Sequence, residues 1–285
     1  MGGGIWSHQL RKTLRKKVRR PMTDAADGSA PRPSHDDLQY DRIGEDYELS
    51  KTLPLTWYVE RPSVLALLAD VRGKNVLDLA CGTGVYTRHA RRLGAARVLG
   101  VDISPKMIEA CRAAEERTPL GVEYAVGDAS ALPRLGEFDV LLAAYLFNYA
   151  DSPEALERMA RACARNLRAG GALRAFVAHP DFDFDRPLPE RYGFSFEREP
   201  DPAHDGRIRV TAHTAPRISF SAYLPSGRAF EEAFAAAGFC DCSWETVQLS
   251  VDGELELGPA YWDDFRANPP WTVFHCAKCT EGDAA

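Results

Sequence analysis

The chain has 285 residues, 45% hydrophobic and 27% charged. This is an ordinary globular composition that excludes fibrous, collagen-like and wholly disordered classes. No run approaches the roughly 20 apolar residues that span a bilayer, so an integral membrane protein is not expected. The formal charge of −6 is uneven: residues 1–21 carry seven of the 35 basic side chains and no acid, leaving 28 basic against 41 acidic residues, a net of −13. A body that acidic repels a phosphate backbone, which argues against nucleic acid as a partner.

Residues 1–38 read as a disordered basic head and a linker rich in Asp, Ser, Pro and Gly. Met22 is expected as the natural start, which makes the head an appendage. Residues 39–72 read as an amino-terminal helical lid, with helices over Asp41–Ser50 and Ser63–Asp70 and Pro62 near the first turn of the second. From residue 73 to 280 strands and helices alternate. Asn75–Ala80 is a strand broken by Gly82-Thr83-Gly84, and Val85–Leu93 is a helix ending at Gly94. Arg97–Asp102 is the next strand. Pro105–Glu116 is a helix capped by Ser104. Val122–Val126 and Phe138–Ala144 are strands, and Pro153–Leu167 is a helix with one apolar face. Ala172–Val177 closes the series. Such alternation predicts a parallel sheet with right-handed crossovers and a ligand outside the carboxyl ends of its strands.

Residues 178–225 break the rhythm with Pro and charge, then β-like Arg207–Thr214 and Ile218–Leu224, and read as an insert that covers a substrate. Phe230–Ala237 is a helix, and Cys242–Leu249 and Thr272–Ala277 are strands that close the sheet edge as a hairpin pair. The seven cysteines read as reduced thiols of a cytoplasmic protein. Cys240-x-Cys242 and Cys276-x-x-Cys279 read as buried or incidental thiols rather than zinc ligands, because Cys276 lies inside an apolar strand. No metal is expected.

The chemistry gathers at three strand ends. In Val76-Leu77-Asp78-Leu79-Ala80-Cys81-Gly82-Thr83-Gly84, a buried strand runs into a Gly turn where a ligand can approach the main chain. A third glycine is missing, so the dinucleotide fingerprint fails. Asp78 favours a positively charged ligand over a pyrophosphate. Asp102, at the tip of the second strand, suits a pair of ribose hydroxyls. Asp128 ends the third strand and suits an exocyclic adenine amine, with Ala129 small enough to admit the ring.

The segments LDLACGTG, GVDIS, GDA and FDVLLAAYLFNYA resemble class I S-adenosylmethionine-dependent methyltransferases. The opening at Tyr40–Tyr47, together with PLGVEYAVGDA, is similar to the small-molecule, toxoflavin-synthase-like branch. The resemblance covers about Tyr40 to Val177. It implies an α/β, Rossmann-like doubly wound fold: a seven-stranded, mostly parallel sheet with an antiparallel carboxyl-terminal edge strand and an insert after strand five. It implies S-adenosyl-L-methionine as cofactor and S-adenosyl-L-homocysteine as product. Asp78, Gly82 and Gly84 would form the methionine end of the site, Asp102 the ribose contact, and Asp128 and Ala129 the adenine edge. Ile103 and Met107 would pack on the adenine faces, Tyr145 would lie near the sulfonium, and Tyr47, with Tyr40, would come from the lid. Lys51 and Arg42 read first as solvated charges, with a contact to the methionine carboxylate as the alternative for either.

The expected reaction is methyl transfer to a small molecule, first of all N-methylation of a heteroaromatic or natural-product intermediate by in-line displacement. His179 and Tyr149 are the candidate bases, with Asp181 and His213 behind them. Alternatives are C- or O-methylation, including an isoprenoid diphosphate carbon held by Arg191, Arg207, Arg209 and Arg217, or a non-catalytic cofactor-binding subunit. A monomer or homodimer is expected.

Overall fold

The structure is a computed structural model that describes residues 49–201, 206–280 and 282. The basic head, the linker and most of the helix expected over 41–50, with Tyr40, Arg42 and Tyr47, lie outside the described residues. A π-helical turn, Thr56–Glu60, runs directly into helix α1 (Arg61–Leu67). With Pro54 and Leu55 also helical, the helical stretch begins nine residues before the Ser63 read from the sequence, with Pro62 inside it. Proline has no N–H to give to the carbonyl four residues back, which is that of Tyr58. That carbonyl instead accepts the N–H of Ser250 at 2.8 Å, so the proline ties this helix to a distant segment.

The alternating elements follow: β1 (Asn75–Leu79), α2 (Val85–Arg92), β2 (Arg97–Asp102), α3 (Pro105–Arg117), β3 (Glu123–Val126), β4 (Phe138–Ala144), α4 (Pro153–Asn166) and β5 (Leu167–Ala178). Ser104 and Ser152 cap α3 and α4, each accepting the N–H three residues on, and each is followed by proline at the first helical position. These are the start signals visible in sequence. After the insert come α5 (Gly227–Ala236), β9 (Phe239–Thr246), α6 (Val251–Leu257), α7 (Asp263–Ala267) and β10 (Trp271–Lys278).

The main sheet has seven strands in the order β3-β2-β1-β4-β5-β10-β9. β1 to β5 pair in parallel, and β10 runs antiparallel to both β5 and β9. The carboxyl-terminal antiparallel strand thus lies at this margin of the sheet, inserted between β5 and β9. Side chains alternate across the sheet with period two. Val76, Val98, Val140 and Leu142 face α1, α2 and the insert, whereas Leu77, Leu79, Leu141 and Ala143 face α4 and α5.

The insert carries its own three-stranded antiparallel sheet, β6 (Phe194–Arg198), β7 (Arg207–Ala212) and β8 (Ile218–Tyr223). Its apolar face (Phe194, Phe196, Ile208, Val210) is buried in the same core as α1. The first of these strands was not read from the sequence, nor were α6 and α7.

The start of the insert is held by Asn268, which is buried. Its Oδ1 accepts the Asp183 N–H, and its Nδ2 donates to the carbonyls of Asp183 and Arg186. Asn268→Ala leaves three backbone groups without these bonds and is expected to cost about 2–3 kcal/mol, read as a lower urea midpoint. A midpoint matching that of the parent chain would show that water replaces the latch.

Candidate functional site

At the carboxyl end of β1 the chain turns through Gly82 and Gly84, both with positive φ (53° and 78°). The two glycines are glycine for different reasons. A Cβ on Gly82 would meet none of the described residues within 4 Å, so among them that side of the loop is an open cradle. A Cβ on Gly84 would press on Tyr124 Oη at 2.7 Å and Cys111 Sγ at 2.9 Å. The second position is therefore fixed by packing beneath the loop, whatever binds above it.

Asp102, at the end of β2, accepts the Gly82 N–H on Oδ2 (2.8 Å) and the Ser104 N–H on Oδ1 (2.9 Å). One carboxylate thus fixes both the Gly turn and the start of α3. Asp78 is 2% exposed. Its Oδ2 accepts the Thr87 hydroxyl at 2.6 Å. Desolvation, reinforced by the Asp102 charge, pushes its carboxyl up to about 7 even though the Thr87 hydrogen bond lowers it. A carboxylate buried with a neutral donor and a second carboxylate for neighbours is short of a cation. Asp128 is exposed beyond β3 and accepts both the N–H and the hydroxyl of Ser130. Ile103 is half-buried next to Asp102, Met107 is buried on α3, and Ala129 is half-buried beside Asp128.

Tyr145 follows β4 with φ of 62°, and its N–H bonds the Phe176 carbonyl of β5 at 2.7 Å. Its hydroxyl donates to Glu60 Oε2 at 2.9 Å. Glu60 also accepts Lys51 Nζ (2.8 Å) and the Tyr86 hydroxyl (2.9 Å) on Oε1. Its side chain is 4% exposed. Sequence reasoning missed Glu60: one acid ahead of Arg61-Pro62 has no motif around it, and its tyrosine partners are 26 and 85 residues away.

Glu60, Lys51 and Tyr145 stand at one side of a cavity whose other walls are mainly apolar. Phe194, Phe196, Ile208, Val210, Phe220 and Ala222 of the insert sheet line it, as do Trp271 and Ala178. Asn148 and Tyr149 add polar groups. Of the two candidate bases, Tyr149 lines this cavity and His179 is not among the described lining residues. His179 is half-buried, its Nδ1 accepts the Asp181 N–H, and burial lowers its pKa. His213 pairs with Ser195 Oγ on the insert sheet and does not line the cavity either.

The arginines weighed as diphosphate ligands are engaged elsewhere. Arg191 pairs with Asp264, Arg207 with Glu199 and Asp201, Arg209 with Glu199, and Arg217 with Glu190. None of them lines the cavity. Cys242 Sγ and Cys276 Sγ lie 2.8 Å apart on neighbouring strands. Among the described residues no group of three or more metal-ligating side chains is present. Nor is any helix among them long and apolar enough to cross a membrane.

Comparison with known proteins places this architecture. Residues 76–171 match the methyltransferase domain family. Over 98 residues the chain is 44% identical to the ribosomal protein L11 methyltransferase of Dechloromonas aromatica, covering 34% of this chain and 30% of that one. The corresponding enzyme of Burkholderia ambifaria is 37% identical over 101 residues, covering 35% and 31%. The match thus spans about a third of the length of these curated relatives. Among solved structures, an S-adenosylmethionine-dependent methyltransferase from Mesorhizobium loti aligns with a TM-score of 0.55 at 20% identity, over 80% of this chain and 99% of that one. The DhpI–SAH complex aligns with a TM-score of 0.55 at 19% identity, over 86% and 96%. The fold is the Rossmann-like α/β fold of these proteins. Within it, residues 76–171 are the stretch that matches a methyltransferase domain.

The protonation of Asp78 is measurable. The folded chain holds this proton up to about pH 7, whereas the ordinary value is 3.8. Between those values the unfolded chain binds fewer protons, so stability falls as pH rises, by up to ~1.4 kcal/mol per pH unit. Asp78→Asn, neutral and nearly isosteric, is expected to remove that contribution. Its stability relative to the parent, from urea melts without ligand, should grow between about pH 5 and pH 7.5. A difference that stays flat across this range argues against a buried, protonated Asp78.

Proposed function

We propose that the chain transfers the methyl group of S-adenosylmethionine to a small-molecule acceptor held in the cavity beside Tyr145. The observation that carries this reading is the position of that cavity. Its walls include the insert sheet and Tyr145, which follows β4 at the carboxyl edge of the parallel strands, the side on which α/β sheets bind ligands.

The donor set fits the cofactor. Asp78, short of a cation, and the open cradle at Gly82 suit its charged methionine end. Asp102, pinned by two backbone N–H groups, suits the ribose. Asp128 and Ala129 suit the adenine edge, with Ile103 and Met107 against the ring faces. Gly84 serves through the loop geometry it permits.

When bound, S-adenosylmethionine supplies a methyl group on a sulfonium, open to in-line displacement by a nucleophile. The chain's task is then mainly to position the acceptor and keep water out. Tyr145 and Trp271, 6.0 Å apart edge to face, offer aromatic surface to the cationic centre. Tyr149 is favoured over His179 for a polar role toward the acceptor because it lines the cavity. A His179 held neutral by burial has the protonation state that a base requires. Acceptors of the heteroaromatic, toxoflavin-like kind suit such walls, and a diphosphate does not, because the arginines considered for it are paired elsewhere.

Two measurements test the proposal. Asp102→Ala is expected to weaken S-adenosylhomocysteine binding tenfold to hundredfold, on the order of 1.5–3 kcal/mol for a lost charged hydrogen-bond partner. Unchanged affinity in calorimetry removes Asp102 from the site. Incubation with trideuteromethyl S-adenosylmethionine and a low-molecular-weight cell extract should yield products three mass units heavier than the ordinary methylated species. Label appearing only in protein would transfer the reading to a macromolecular acceptor.

A further inference from the structure

Glu60 is a buried carboxylate with its hydrogen bonds unequally spread. Oε1 takes two donors, Lys51 Nζ and the Tyr86 hydroxyl, whereas Oε2 takes one, the Tyr145 hydroxyl. A carboxylate offers about four lone-pair sites, so one remains, on the oxygen bonded to a residue that itself lines the cavity. Among the described lining residues, Lys51 and Glu60 are the charged ones, and they form an ion pair at 2.8 Å. Their charges cancel, and the walls opposite are phenylalanine, isoleucine, valine and tryptophan. Among the described residues, a net charge brought into such a space loses its hydration and meets only an ion pair as charged partner. A neutral ring loses water at apolar walls and gains from it.

We propose that the acceptor is a neutral, largely apolar small molecule that presents a single N–H or O–H donor to Glu60. This rests on the methyl-transfer reading above and narrows it to a class of substrate. Glu60 is held from both sides of the site. Tyr86 belongs to α2, directly behind the Gly82–Gly84 turn, and Tyr145 stands at the end of β4. A donor seated on Glu60 is thereby fixed in distance from the cofactor loop, and orienting groups need this kind of support.

The test uses the full chain saturated with S-adenosylhomocysteine, and three probes of one ring each: phenol, toluene and benzoate. Binding is followed by ligand-observed NMR. Phenol is expected to bind more tightly than toluene, which has its shape without the donor, and more tightly than benzoate, which brings a charge. In Glu60→Gln the side chain keeps its size but has one carbonyl oxygen, already contested by three protein donors. The phenol-to-toluene affinity ratio is therefore expected to fall at least tenfold, while toluene affinity and S-adenosylhomocysteine affinity stay close to the parent values. A ratio unmoved by Glu60→Gln overturns the proposal. So does benzoate binding as tightly as phenol. If Glu60→Gln does not fold, the parent chain still decides: phenol binding no tighter than toluene overturns it. S-adenosylhomocysteine that binds while phenol fails in these ways sinks this inference alone. S-adenosylhomocysteine that does not bind at all removes the methyl-transfer reading as well.

Discussion

One carboxylate organises the ligand-binding edge of the sheet. Asp102 accepts the N–H of Gly82 on one oxygen and the N–H of Ser104 on the other, so the turn after β1 and the first residues of α3 are held to the tip of β2. Charge-assisted bonds of this kind are worth roughly twice a neutral one. They fix the backbone at Gly82, where φ is positive and the Cβ direction is clear of the described residues. Behind it Asp78 adds a second acid in a dry setting, and the Asp102 charge raises the cost of ionising Asp78. An edge built this way makes ionising Asp78 costly until a positive charge arrives beside it. That is a reason to expect a cation-bearing ligand, and it separates this turn from the phosphate-binding turns that begin similarly.

A second hub lies 42 residues earlier in the chain than Asp102, at Glu60. Its position depends on a proline. Pro62 leaves the Tyr58 carbonyl to Ser250, and Ser250 caps α6 by accepting the Gly253 N–H. Trp262 then donates to the Gly253 carbonyl at 2.9 Å and packs edge-on to Tyr58 with ring centroids 5.9 Å apart. The segment between β9 and β10 therefore braces the helical stretch that delivers Glu60. A polar residue buried to this degree is kept only where its partners are held as firmly as itself.

The sheet and its crossovers were legible in the sequence because parallel strands buried on both faces read as short apolar runs, and because Ser104-Pro105 and Ser152-Pro153 announce helix starts. The three strand-end acids were legible for the same reason: each closes a run whose direction is known. What stayed hidden is of another kind. Phe194–Arg198 is too short and too charged at one end to stand out as a strand, and it exists because Arg207–Ala212 pairs with it. The helical stretch before Ser63 contains a proline that local rules treat as a boundary. Glu60 draws its meaning from Tyr86 and Tyr145, contacts that no window of sequence contains.

This division bears on what similarity can transfer. The match to the methyltransferase domain covers residues 76–171 and includes Asp78, Asp102 and Asp128. The cavity is built mostly from outside that stretch. Lys51 and Glu60 precede it, and Phe194 through Ala222 and Trp271 follow it; within it, Tyr145, Asn148 and Tyr149 reach the walls. The family match takes in about a third of the chain, and that third holds the acids proposed above for the cofactor. On the proposed reading, the acceptor is selected mostly by residues outside 76–171. Tyr145 is where the matched stretch meets the rest: its backbone continues β4, and its hydroxyl is bound to Glu60. The acceptor class must therefore be argued from the walls themselves. An ion pair that cancels its own charge beside a set of aromatic and branched side chains favours a neutral ring over a charged or extended substrate.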